Sequence, residues 1–393
     1  MSRTVLILGG RAPAALEHAR RFHARGWRVH VADSIPCRLT GWSSAVTASH
    51  ALPPPRFDPR GFVVELGRIV RDQCIDLLLP TCEEVFHLAR HRAALPRELH
   101  VVADDFDRLR ALHSKWEFAG LARTHGMPVP DSALIHTLAE ARAWAGGRGV
   151  VLKPEYSRFG VHVRLYPAGI PEDAPELASL GAWVVQAFVA GDELCSYAIA
   201  EGGRLLAHMT YRPAYRLSRS SSYYFDPVEN PGIGDAVARL VRGIGYSGQI
   251  SFDWIVGSDD RAVALECNPR ATSGLHLFAP YVDVPAALLG DIDVNGERDA
   301  YETSHGRARM IVPVMLAAGL SGALRSGRLA QWRADWKRAD DVISIAGDRA
   351  PQVGAMADLA SYVRLAMQRR CSVREAATRD IEWDGETLPP VSP

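Results

Sequence analysis

The stretch Gln249-Ile-Ser-Phe-Asp-Trp-Ile-Val-Gly-Ser-Asp-Asp-Arg-Ala-Val-Ala-Leu-Glu-Cys-Asn-Pro-Arg270 reads as two strands around a short turn. Ile250, Phe252, Trp254 and Val256 alternate with polar or smaller residues, as a half-buried strand requires. Gly257 to Asp260 is turn chemistry, and Val263, Leu265 and Cys267 alternate again. With the loop at Ser258 to Arg261, Asp253 lies directly opposite Glu266 on one face. Like charges directly opposite destabilise a sheet, so the pair makes sense with a cation between them. Asn268 adds a neutral oxygen on that face, and two carboxylates, an amide and phosphate oxygens suit Mg²⁺. Arg270 is spaced to meet an anion bidentately. The plainer reading is an exposed hairpin with acids on its wet face. It accounts for any one of these residues better than for Asp, Glu, Asn and Arg stacked together.

Working outward, Val150-Val-Leu-Lys153-Pro is a strand ending in lysine, followed by a loop from Glu155 to Val161 that contains Ser157 and Gly160. Such a loop can surround phosphates with backbone N–H groups and a lysine, although Walker A spacing is missing. Arg158 and Phe159 make it poorer in glycine than most phosphate loops. Trp183-Val-Val-Gln-Ala-Phe-Val189 is a mostly apolar strand that runs into Ala-Gly-Asp-Glu193. Lysine occurs only at Lys115, Lys153 and Lys337 among 45 Lys+Arg positions, which makes each one more informative. Lys115 lies in a segment, Arg108 to His125, that reads as one helix anchored by Leu109, Leu112, Trp116 and Leu121.

Asp253 with Glu266-Cys-Asn268-Pro-Arg270 resembles the last two strands of the ATP-grasp superfamily, in particular its carboxylate–amine ligases and the ATP-grasp domains of carbamoyl-phosphate synthase type. The resemblance spans about residues 1 to 287. It rests on Lys153, Glu193 and the Asp253/Glu266/Asn268/Arg270 block occurring in the family's order. It implies ATP and Mg²⁺ (or Mn²⁺) as cofactors, with Asp253, Glu266 and Asn268 as metal ligands. It implies Lys115 and Lys153 at the ATP phosphates, Ser157 and Gly160 in the covering loop, and Arg270 at phosphate or acyl-phosphate. Gln186, Phe188 and Val189 become the adenine-reading segment between two lobes, and Glu193 the ribose ligand. The implied activity is activation of a small-molecule carboxylate as an acyl-phosphate and its capture by an amine, leaving ADP and phosphate. A kinase on the same fold and a non-catalytic nucleotide-binding module are the rival readings. A biotin-dependent carboxylase fits less well, since the chain carries no biotinyl-carrier segment.

Other candidates are left with two readings each. Arg212, Arg216 and Arg219 lie in a Tyr-rich segment, Tyr211 to Tyr224, that is either a carboxylate-gripping lid or disordered. Ser273 and His276 follow the hairpin and are candidate substrate contacts, with a structural histidine as the plainer role for His276. Glu83 and Glu84 end a parallel strand, where open α/β sheets place ligands, or stabilise a helix start. Asp33 occupies the place of a dinucleotide ribose acid, but G-x-G-x-x-G is absent.

The expected architecture is α/β. A Rossmann-like doubly wound domain over 1–110 precedes ATP-grasp lobes over 111–190 and 191–290, and 291–393 forms a C-terminal extension of unassigned role. A chain of 393 residues is ample for a large core. Balanced charge, 45 acidic against 45 basic residues, points away from nucleic acid and anionic membranes. Six scattered cysteines without a C-x-x-C pair, no long apolar span and a strand at the very start lead us to expect a cytoplasmic protein with reduced thiols. The expected partners are small-molecule carboxylate and amine substrates, with a homodimer left open.

Overall fold

The computed structural model describes residues 2–157, 160, 162–217, 222–291, 306–388 and 391. Three sheets organise them. The first comprises β1 (Thr4–Leu8), β2 (Arg28–Asp33), β3 (Ala48–Ala51), β4 (Leu77–Leu79) and β5 (His100–Val101), all parallel in the order β3-β2-β1-β4-β5. β1 and β4 are buried along their whole length, which is why they read as unbroken apolar runs rather than alternating ones. The second is antiparallel: β6 (Ser132–Ile135), β7 (Val150–Pro154), β8 (Arg164–Tyr166) and β9 (Trp183–Ala187), ordered β6-β9-β7-β8. The third holds β10 (Asp192–Glu201), β11 (Arg204–Arg216), β12 (Ser222–Pro227), β13 (Gly248–Val256), β14 (Ala262–Asn268), β15 (Ala308–Met310) and β16 (Ala339–Asp341). Their order is β14-β13-β10-β11-β12-β15-β16.

Two expectations need correction. The segment Arg108 to His125 is two helices, Phe106–His113 and Lys115–Thr124, broken at Ser114. The Ser114 hydroxyl caps the second by accepting from the Glu117 N–H. Lys115 is therefore a helix-start residue, and Trp116 is exposed rather than an anchor. The segment Tyr211 to Tyr224 is neither loop nor lid but the paired strands β11 and β12, joined through 218–221, so Arg219 lies outside the described residues. Tyr211, Tyr223 and Tyr224 are buried, which accounts for its aromatic content.

In the C-terminal residues, expected as an extension of unassigned role, β15 and β16 lengthen the third sheet, and the chain then returns to the first. The helix Pro351–Arg369 lies on the short turn Leu39–Trp42, where the Asp358 carboxylate accepts from the Leu39 N–H at 2.9 Å. Gly354 is required there, since a Cβ would stand 2.6 Å from the Trp42 ring. Further on, Trp383 is buried among Phe86, Phe106 and Tyr156 with ring centroids 5.2–5.4 Å away. Arg11 sits between Asp33 and Asp380, donating to Asp380 at 2.7 and 2.8 Å and to Asp33 from Nε at 3.0 Å. That ion pair occupies Asp33 and removes it as a ribose ligand.

One buried amide locks the first sheet to the third. The Gln249 Oε1 atom accepts from Tyr197 at 2.7 Å and lies 2.8 Å from His18 Nε2, while its Nε2 donates to the Pro80 carbonyl at 2.9 Å. Burial holds the His18 ring down at a pKa of about 4, so it is neutral at physiological pH. Gln249 is the second residue of β13, so this clamp fixes the hairpin against the C-terminal end of β4.

Candidate functional site

β13 and β14 pair so that Asp253 does face Glu266. The route differs from the simple count. Val256 pairs with Ala262, which makes the turn one residue longer than expected, and the register then shifts by one between Asp253 and Trp254. The extra residue, Leu265, is a bulge, and it compensates for the longer turn. The core face of β14 is therefore Ala264 and Cys267, three residues apart, and Leu265 turns to the opposite side. Its carbonyl accepts from Lys153 Nζ at 2.8 Å. Ile250, Phe252 and Trp254 fill the core behind β13, so the acids are held on a rigid support.

Two lysines approach the acids, and both also donate to backbone carbonyls. Lys115 Nζ donates to the Ser157 carbonyl at 2.7 Å and stands 3.8 Å from Glu266. Burial draws the Lys153 pKa down to about 8, against the pull of Glu266. Burial and the facing Glu266 raise the Asp253 carboxyl above its ordinary range. Glu266 titrates below its own range: burial works upward, but Lys115 and Lys153 outweigh it. The pair thus splits into a protonatable Asp253 and an ionised Glu266. The Cys195 thiol donates to Asp253 Oδ1 at 3.2 Å, and burial with the nearby Asp253 charge keeps it protonated.

In front of the acids lies a cleft of about 470 Å³ between the second and third sheets. It gathers Lys153, Ser157, Gly160, Gln186, Phe188, Val189, Glu193, Arg216, Asp253 and Glu266, which are residues expected from sequence. Val151, Leu165, Ile255 and Leu265 supply apolar walls. Glu193 pairs with Arg216, so the expected ribose acid already meets an arginine on β11. The cleft also contains Cys195, which sequence reasoning missed. Its signal was the two-residue spacing from Glu193, which puts both on one face of β10.

Other expected residues stand apart from this cleft. Asn268 Oδ1 accepts from Arg270 at 3.2 Å, and Arg270 Nε lies 3.7 Å from Glu83 at the end of β4, so these two extend the acidic row toward the first sheet. Glu84 instead accepts from the Thr81 and Cys82 N–H groups, a turn-capping role. Arg212 is half exposed and lies 3.6 Å from Asp192. Ser273 is half-buried in the short turn Ser273–Leu277. His276 is buried away from the cleft, stacked on Phe225, with Nδ1 3.6 Å from Glu17. Burial opposes ionisation of Glu17, but His276 and Arg21 hold its carboxyl well below the usual range. A general-base role at the cleft therefore does not fit His276. Of the loop Glu155 to Val161, residues 158, 159 and 161 lie outside the described residues.

Among the described residues, no three His, Cys, Asp or Glu side chains are grouped to hold a metal. Asp253 and Glu266 provide two carboxylates, so the residues fit a cation whose remaining ligands come from a bound phosphate or water.

A parallel first sheet, an antiparallel four-stranded second and a third that faces it across a cleft form the ATP-grasp fold. No family model matches the sequence. The carbamoyl phosphate synthase large chain of Rubrobacter xylanophilus is 28% identical over 202 residues, 46% of this chain and 19% of that protein. The chain thus spans about a fifth of the curated relative it matches. Among solved structures, the biotin carboxylase domain dimer of Hydrogenobacter thermophilus 2-oxoglutarate carboxylase, in complex with MgADP, ADP and bicarbonate, aligns with TM-score 0.60 and 12% identity. It covers 78% of this chain and 73% of that one. The L-amino acid ligase of Bacillus licheniformis aligns with TM-score 0.58 and 15% identity, over 78% of each chain.

Proposed function

We propose that the cleft binds ATP with Mg²⁺ and that the protein is a ligase joining a small-molecule carboxylate to an amine. The observation that carries this reading is the facing pair Asp253 and Glu266, half-buried beside lysines that donate to carbonyls. Opposed acids of this kind call for a cation, and Lys115, Lys153 and Arg270 beside them call for phosphate. The likeness to an L-amino acid ligase and to a MgADP-bound carboxylase domain supports the same reading.

Asp253 and Glu266, with Asn268 beside them, would hold the cation. Bound there, Mg²⁺ supplies neutralisation of phosphate charge. Lys153 and Lys115 grip the β- and γ-phosphates once their carbonyl bonds to Leu265 and Ser157 exchange for phosphate oxygens. Glu193 binds the ribose after releasing Arg216, which then has its guanidinium available for phosphate. The Ala187 and Phe188 N–H groups are engaged by the Asp131 and Gly149 carbonyls, so reading the adenine edge falls to Val189. The substrate carboxylate oxygen attacks the γ-phosphorus, and the bond to the β–γ bridging oxygen breaks to leave ADP. The amine then attacks the acyl carbon, phosphate departs and the amine loses a proton. Positioning and charge neutralisation are what such transfer asks of a protein.

The test is phosphate release from Mg²⁺–ATP across a panel of amino acids and aromatic acids, singly and in pairs. Release that needs both a carboxylate and an amine, with an amide product of matching mass, is expected. A phosphorylated acceptor without free phosphate would identify a kinase instead. Nucleotide binding with no turnover across the panel would favour a binding module.

A further inference from the structure

The helix Pro351–Arg369 runs for 19 residues. Its inner face, including Gly354 and Asp358, is buried against the first sheet's turn. Its outer face carries Val353, Met356, Leu359, Val363 and Met367, which are 57, 60, 50, 41 and 76% exposed. A helix that ends its packing on one side normally turns polar on the other. Here Arg364 is the only charged side chain exposed between positions 352 and 368. With Ala360, also exposed, the row Val353, Met356, Ala360, Val363, Met367 advances in alternating steps of three and four residues, the seam spacing of paired helices.

We propose that this face is the interface of a two-fold dimer, in which the same helix of a second copy packs antiparallel and crosses at Ala360. The row is self-complementary in that sense alone. About Ala360, Val353 falls opposite the partner's Met367, and Met356 falls within one residue of the partner's Val363. Each layer then joins one short branched side chain to one long flexible one, and the smallest residue sits where the helices come closest. A two-fold contact requires this reciprocity. A parallel pair would stack valine on valine and methionine on methionine, in layers of unequal volume. It would also bring Arg364, Arg369 and Arg370 of both copies to one end, whereas the antiparallel pair separates them and opposes the two helix dipoles. The five side chains expose on the order of 500 Å², as much as the largest apolar patch on a typical monomer. Two copies would then bury ~1,000 Å² in all, the size a specific interface needs to reach.

The experiment measures the mass of the full chain in solution at tens of micromolar. The expected value is twice the 43.0 kDa of one chain, falling to one chain for the double variant Met356→Lys, Val363→Lys, whose circular-dichroism spectrum stays that of the folded wild type. Ala360→Cys should give an interchain disulfide under mild oxidation that the wild type, with its own thiols, does not. Met367→Cys alone should give none. A wild type that stays at one chain mass, a double-lysine variant that remains dimeric, or Met367→Cys cross-linking as readily as Ala360→Cys would each overturn the proposal. None of these residues lines the cleft, so turnover is read separately from assembly.

Discussion

Two charge clusters in this molecule, one buried and one half-buried, are built from similar parts and differ in whether they are closed. At Arg11, one guanidinium sits between Asp33 and Asp380, and its Nε, Nη1 and Nη2 atoms all meet acceptors, including Ser34 Oγ at 2.9 Å and the Ala377 carbonyl at 2.6 Å. At the cleft, Asp253 and Glu266 face each other, and the two nearby lysines, Lys115 at 3.8 Å from Glu266, also donate to backbone carbonyls. The first cluster has its guanidinium donors matched by acceptors and holds the chain together. The second sets two carboxylates face to face, with an exchangeable lysine grip at its edges. A fold keeps such an arrangement only where something else completes it.

The sharpest way to break this comparison is Glu266→Gln, which keeps the shape and removes one of the opposed charges. Turnover should fall by ~10³-fold or more, as for loss of a group that neutralises charge in the transition state. The apo protein should be no less stable, because the repulsion with Asp253 is relieved. A phosphate-release assay paired with apo melting curves checks both; normal turnover, or an apo protein that melts earlier, would make the hairpin a second structural cluster. Arg11→Ala should do the reverse. It strands two buried acids, and loss of about 3 kcal/mol of unfolding free energy in urea is expected, toward the lower end for a broken buried pair. Asp33 moderates the loss because it also accepts from the Arg11 and Ser34 N–H groups. Unchanged urea stability would show that the Arg11 cluster is not a fastening. The smallest effect is in pH. Lys153 is held near 8 by burial, so it is charged and able to grip phosphate below that value and neutral above it. Nucleotide affinity should be flat below pH 8 and fall about tenfold per unit above it. Lys153→Arg should abolish that fall, since guanidinium stays protonated. Titrating Kd for ATP from pH 6.5 to 9.5 decides it, and a wild-type profile that stays level would remove Lys153 from the phosphate site.

The hairpin was legible because its chemistry repeats with strand period: Asp253 and Glu266 fall on the face opposite the alternating apolar residues, whereas Glu193 was legible only through the family resemblance. A simple count gives the right register because a turn one residue longer is offset by a bulge at Leu265. Nothing in the side chains announces that bulge. The break at Ser114 could be read, since Ser114-Lys-Trp-Glu117 has the spacing of a helix start. The pairing of β11 with β12 hid itself because both strands bury aromatic residues, which blurs the alternation. The C-terminal segment was illegible for a different reason. β15 and β16 are three residues each, too short for a period to show, and the fastenings of the segment are at the other end of the chain. Arg11 and Asp380 are 369 residues apart, and no local pattern links residues at that distance.

That separation has a consequence for synthesis. At about 5–20 residues per second, Asp380 leaves the ribosome roughly 20–70 s after Arg11. Throughout that interval β1 to β5 can assemble, but Arg11 has only Asp33, and the hollow among Phe86, Phe106 and Tyr156 waits for Trp383. The first sheet to be made is thus the last to be finished. A nascent chain stalled before Trp383 would present that hollow to chaperones and proteases, so messages truncated there should yield short-lived protein even though every strand of the cleft has already been translated.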